Sequence, residues 1–175
     1  MICKHSFSPC TLHAAKGMNQ HFIYNTLNQV QYFIQKGDKE ASLNYISRLS
    51  RLLRQWMHGT EQTSISLADE ISLLQGYLSL EQLRFSHRFS FDVVTDVQES
   101  RSVFVTPHLI FPLVEHAVSW SMRQTESGHI SIRVVPDSPF LQCRVVAETV
   151  SAASVANLHL LTHEINFARA CNVSL

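Results

Sequence analysis

The sequence predicts an α+β chain, an N-terminal helical bundle built to pair with a second copy followed by a small α/β sandwich. Three observations predict it. Apolar residues recur at the helical period through the first eighty-odd residues, and after Phe85 the period shortens to the two-residue alternation of strands. Hydrophobic residues make up 45% of the chain and charged residues only 16%, a lightly charged surface for a free-standing monomer.

The first ten residues are irregular. A first helix is expected over 11–36, with Ile23, Leu27, Val30 and Ile34 on one face. Gly37-Asp38 ends it, because glycine takes the left-handed conformation at a helix C-terminus with little strain. A second helix is expected from Lys39 to Met57. Leu43, Ile46, Leu49, Leu53 and Trp56 form its apolar face, Arg48, Arg51 and Arg54 its polar one, and His58-Gly59-Thr60 is read as its stop. Ser66-Leu67-Ala68-Asp69 fits a capping box opening a third helix that runs to Arg84. That helix is apolar over two adjoining stripes, Leu67, Ile71, Leu74 and Leu78 beside Leu73, Tyr77 and Leu80, so it must be covered on more than one side. Pairing two copies around the first two helices closes the remaining faces into a four-helix bundle.

Phe89 to Val93 alternates as a strand, Pro107 to Arg123 reads as a helix, and Ile130–Val134 and Leu141–Val145 alternate again across a Pro136-Asp137-Ser138-Pro139 turn. A last helix is expected over Ala152–Ala170, with Val155, Leu158, Leu161 (or Thr162) and Ile165 inward. The organisation expected is therefore a helical module over 1–86 and a sheet-and-helix module over 87–175.

Lys+Arg and Asp+Glu number 14 each, so no basic excess is available to displace counterions from a nucleic acid. The most apolar stretch, Val103 to Trp120, is broken by His108, Glu115, His116 and two prolines, and no membrane span is read. Cys3, Cys10, Cys143 and Cys171 form no CxxC pair and fit reduced thiols of a cytoplasmic protein. His159 and His163 lie four apart, which aligns them on the last helix, but no third ligand accompanies them. The sequence thus points to a protein partner, with no metal and no cofactor.

His21, Asn25 and Asn28 fall at i, i+4 and i+7, a polar stripe beside the apolar face of the first helix. An imidazole there can act as a nucleophile, and a carboxamide one turn on can orient a water or a phosphoryl oxygen. Spacing alone leaves a second reading open, in which His21 is one of ten histidines, lying on a solvated helix face.

The run Asn19-Gln20-His21-Phe22-Ile23-Tyr24-Asn25-Thr26-Leu27-Asn28 resembles the NPHFLFNTLN segment around the phospho-accepting histidine of the LytS-type sensor histidine kinases. Leu49-Ser50-Arg51-Leu52-Leu53-Arg54, Leu67-Ala68-Asp69-Glu70 with Tyr77–Phe85, and Thr106–Val118 resemble three further segments of that family, in the same order. The resemblance implies a helical dimerisation and histidine-phosphotransfer module followed by a reduced GHKL-like ATPase domain. His21 would be the phosphoacceptor and Asn25 its support.

The departures concern the nucleotide site. Where the family has a glutamate followed by a Mg²⁺-binding asparagine, this chain has Glu115 followed by His116. Where the family's DNGxG aspartate reads adenine, the chain offers Ala147 and then Glu148, with no glycine after it. The last 47 residues contain no glycine, although a phosphate-cradling lid needs left-handed backbone and close approach. Gln20 replaces the proline that usually precedes the histidine, which predicts a straighter helix. The reading that follows is a cytoplasmic two-component protein that does not bind ATP. It acts as a dimer on a response-regulator receiver domain or on an intact histidine kinase. The alternative is an active ATP-dependent kinase with a divergent nucleotide site.

Overall fold

The computed structural model describes residues 20–124, 127–138, 140–150 and 158–168. In chain order the elements are α1 (Gln20–Gln35), α2 (Lys39–Thr60), β1 (Ile65–Ser66), α3 (Leu67–Arg84), β2 (Phe89–Thr95), β3 (Phe104–Val105), α4 (Phe111–Gln124), β4 (Ser127–Asp137), β5 (Phe140–Val150) and β6 (Leu158–Ala168). The fold is α+β, with N-terminal helices leading into a small sheet module. The expected helical residues 11–19 lie outside the described residues.

Local chemistry sets the helix ends. Gly37 adopts φ +73°, the Gly37 N–H reaches the Ile34 carbonyl and the Asp38 N–H reaches that of Phe33, so α1 closes as the glycine predicts. Asp38 then caps α2, its carboxylate accepting the Ala41 N–H at 2.9 Å. Ser66 caps α3 through the Asp69 N–H at 3.1 Å, and its hydroxyl donates to the Asp69 carboxylate at 2.6 Å.

The expected stop at His58-Gly59-Thr60 is corrected, because α2 runs through to Thr60. Gly59 serves a close approach instead. A Cβ there would stand 2.9 Å from Cε1 of His108, nearer than packing allows. The helix expected from Pro107 begins four residues later, at Phe111. His108 takes φ +57°, which breaks the helical run, and the backbone there bonds to a side chain of α3.

The main sheet has the order β2-β4-β5-β6, with β2 parallel to β4 and the other neighbours antiparallel. The two-residue strands β1 and β3 pair antiparallel through Ile65–Val105. The last helix expected over Ala152–Ala170 is corrected over its described part. Residues 158–168 form β6, paired to β5 along all eleven residues. Leu161 and Ile165 suit either period, being four apart, but buried Phe167 two residues on fits only a strand. The inward places expected for Val155 and for the Leu158 side chain lie outside the described residues.

One core runs through both halves. Leu73, Leu74, Leu78 and Leu80 of α3 join Ile110, Val114 and Val118 around α4 and Ile130, Ile132, Leu141 and Val145 of the sheet. The stripe expected on α1 is only partly covered, with Ile23 and Val30 half-buried, Leu27 54% exposed and Ile34 62% exposed. On α2, Leu49 and Trp56 are buried while Leu43 and Ile46 face solvent. No helix among the described residues is long and apolar enough to cross a membrane.

Candidate functional site

His21 is the second residue of α1, and Asn25 follows one helical turn later, half-buried. The four-residue spacing therefore lies on a continuous helix, which puts the two positions on one face. The His21 side chain itself lies outside the described residues. Phe22 beside it is buried, its ring 5.3 Å from that of Tyr77, and Thr26 is fully buried with its hydroxyl donating to the Ile23 carbonyl at 2.8 Å. Phe22 thus packs α1 against Tyr77 of α3 beside the polar stripe.

Glu115 and His116 lie on α4, Glu115 half-buried and His116 exposed. Nδ1 of His116 sits 2.8 Å from Nε2 of His163 on β6. Ala147 is fully buried in β5, paired to Ile130 and Leu161. Glu148 is exposed and paired to His129 and Leu160. Residues 141, 143, 145, 147 and 149 face inward, so adjacent Ala147 and Glu148 point to opposite faces of the sheet. The inner face under α4 therefore carries the Ala147 methyl and not the Glu148 carboxylate. The strand expected to end at Val145 continues to Val150, because inward burial persists at Ala147 and Thr149.

Sequence reasoning passed over the joint between the halves. Glu70 of α3 is fully buried, and its two carboxylate oxygens accept the N–H groups of His108 at 2.9 Å and Ile110 at 3.0 Å. Burial pushes its carboxyl up to about 7, against the pull of the Ile110, His108 and Phe111 amides. His108 is 6% exposed and stacks on Trp56 of α2 at 3.8 Å with 13° between the rings. Desolvation there pulls the imidazole below its ordinary pKa. Phe111 stands edge-on to both Trp56 and Tyr77. The only sequence signal for this joint was Glu70 closing the Leu67-Ala68-Asp69-Glu70 segment.

His163 was visible in sequence only as a partner of His159. On β6 it faces inward to α4, and among the described residues no group of three or more metal-ligating side chains converges. On the other side of the sheet, the Ser90 hydroxyl meets Nδ1 of His129 at 2.8 Å, and Nε2 of His129 meets the Asp92 carboxylate at 2.6 Å. This polar chain ties parallel β2 and β4 across the solvent-facing surface.

The histidine kinase family model matches residues 13–89, which hold α1, α2 and α3. The sensor histidine kinase/phosphatase LytS of Staphylococcus aureus strain MRSA252 is 28% identical over 145 residues, 82% of this chain, and the LytS of strain Mu50 is identical to the same extent. The chain spans 24% of the length of each of these relatives. Among solved structures, histidine kinase ThkA in complex with response regulator protein TrrA matches 79% of this chain and 44% of its own, with 18% identity and a TM-score of 0.36.

Proposed function

We propose that this chain, a relative of the LytS-type sensor histidine kinases, is a dimeric cytoplasmic partner in two-component signalling that handles phosphoryl groups at His21 without binding ATP. The observation that carries the reading is Ala147. Its methyl group lies fully buried on the inner face of β5, where adenine recognition would need a carboxylate. The neighbouring Glu148 points to the opposite face and offers no substitute. His116, at the position of the family's Mg²⁺-binding asparagine, is engaged with His163.

The positive part rests on α1. An imidazole nitrogen attacks the acyl phosphate of a receiver-domain aspartate, the P–O bond to the aspartate breaks, and the carboxylate leaves as the phosphohistidine forms. The reverse step returns the group. Asn25 supports the same phosphoryl oxygen or a water that hydrolyses it, a role in keeping with the phosphatase half of the relatives' name. The exposed apolar residues Leu27, Ile34, Leu43 and Ile46 give the helices a surface for a second copy.

The test mixes phosphorylated response regulator with this protein. Label should leave the regulator, and His21→Gln should abolish the loss. Asn25→Ala should slow hydrolysis more than transfer, because transfer needs only the imidazole while hydrolysis needs a positioned water. A regulator that docks equally to wild type and His21→Gln, with no phosphoryl movement, would make the bundle a docking surface only.

A further inference from the structure

His116 and His163 come from elements far apart in sequence and meet nitrogen to nitrogen at 2.8 Å. His116 stands on the exposed side of α4, whereas His163 is only 4% exposed. Their ring centroids lie 5.0 Å apart with 59° between the planes. His163 pairs in register with Val145, and its inward neighbours across the strand pair, Cys143, Val145 and Ala147, are fully buried and carry no charge. One imidazole therefore has an apolar wall behind it and the other has access to solvent. Two such nitrogens, anchored on separate elements, are the donors that late first-row divalent cations select.

The geometry points to a transition-metal clasp in which His116 Nδ1 and His163 Nε2 together bind a borderline divalent cation, Zn²⁺ or Ni²⁺, with water completing its coordination. A tetrahedral cation about 2.1 Å from each nitrogen holds the two about 3.4 Å apart. The pair opens by about 0.6 Å, a movement that the exposed His116 side chain supplies by rotation. The proton now shared between the nitrogens must leave, and a ring proton is regained at the nitrogen away from the metal. His116 can make this tautomer exchange directly with solvent. Mg²⁺ does not fit, since it selects oxygen ligands and a nearly ideal octahedron. A bound cation would tie β6, the last strand of the sheet order, to α4, and would stabilise the folded chain by binding it in preference to the unfolded one. The inference uses neither His21 nor a receiver domain, so it stands or falls separately from the phosphotransfer reading.

The test is a calorimetric and thermal-shift titration of the full chain with ZnCl₂ and NiCl₂, with MgCl₂ as control, on wild type, His116→Gln and His58→Gln. His116→Gln replaces an exposed side chain and leaves the core untouched. It should lose one equivalent of Zn²⁺ or Ni²⁺ and most of the rise in melting temperature, while His58→Gln behaves as wild type. His163→Gln, checked for fold by circular dichroism, should reproduce the loss. Equal uptake and an equal shift in wild type and His116→Gln would overturn the clasp. The same loss in His58→Gln would overturn it too, as adventitious surface binding.

Discussion

Glu70 and Ile110 are joined inside the core, the Oε1 of a fully buried carboxylate on α3 accepting the backbone N–H just ahead of α4 at 3.0 Å. The other oxygen takes the His108 N–H, so one side chain fixes the entry of α4 to the last helix of the N-terminal group. Two buried amides with no other acceptor would each cost about 1–3 kcal/mol, which explains why the chain keeps an ionisable group there.

The same burial makes stability depend on pH in a defined direction. The Glu70 carboxyl rises from its ordinary 4.5 to about 7 in the fold, so the folded chain keeps a proton that the unfolded chain releases. Its contribution is complete below about 4.5 and is lost as pH rises through about 7, a swing of about 3 kcal/mol. Glu70→Gln cannot titrate. Urea unfolding at pH 5 and pH 8 should show the variant gaining on wild type by most of that swing, about 2–3 kcal/mol, between the two. His108, whose pKa is lowered by burial, acts the other way as pH falls, but it is present in both proteins and cancels in the comparison. A constant gap between variant and wild type would mean that Glu70 stays ionised throughout.

Two glycines inside helices should respond oppositely to alanine. Gly76 of α3 has room, since its Cβ would meet Leu52 Cδ1 at 3.4 Å, and Gly76→Ala should gain about 1 kcal/mol from helix propensity. Gly59 of α2 has none, with His108 carbon and nitrogen at 2.9 and 3.0 Å. Gly59→Ala should lose about 1–3 kcal/mol by forcing His108 off Trp56. Denaturant midpoints of the two variants measure both signs, and a stabilised Gly59→Ala would show that the His108 seat is loose.

What the sequence made legible follows from how local each signal was. The ends of α1 and α3 were readable because Gly37 and Ser66 act on backbone within a few residues of themselves. The joint was not, since Glu70 meets amides 38 and 40 positions away and nothing local marks a buried carboxylate. Gly59 was misread for the same reason, its cause being a histidine from another element. In β6, Leu161 and Ile165 satisfy two periods at once, and only pairing to β5 decides between them. Of the candidate residues, the spacing of His21 and Asn25 could be anticipated, whereas the inward place of Ala147, beyond the strand end expected at Val145, and the meeting of His163 with His116 required the sheet.

The exposed apolar residues of α1 and α2 predict association. Leu27→Asp puts a charge on a side chain that a single copy leaves 54% exposed, so the monomer fold should survive while a buried seam would not. Light scattering should find wild type as a dimer and the variant as a monomer of unchanged helicity. A wild type that stays monomeric at high concentration would remove the bundle pairing.

Direct titration with Mg-ATP distinguishes a phosphotransfer protein without a nucleotide site from an ATP-dependent kinase. A ligand specific for the native state at a hundred times its dissociation constant raises stability by about 2.7 kcal/mol. For a phosphotransfer protein, no saturable heat by calorimetry and no shift in melting temperature are expected at millimolar Mg-ATP, for wild type and Glu115→Gln alike. A saturable, stoichiometric shift in wild type that disappears in Glu115→Gln would contradict this expectation and make the chain an ATP-dependent kinase with a divergent site.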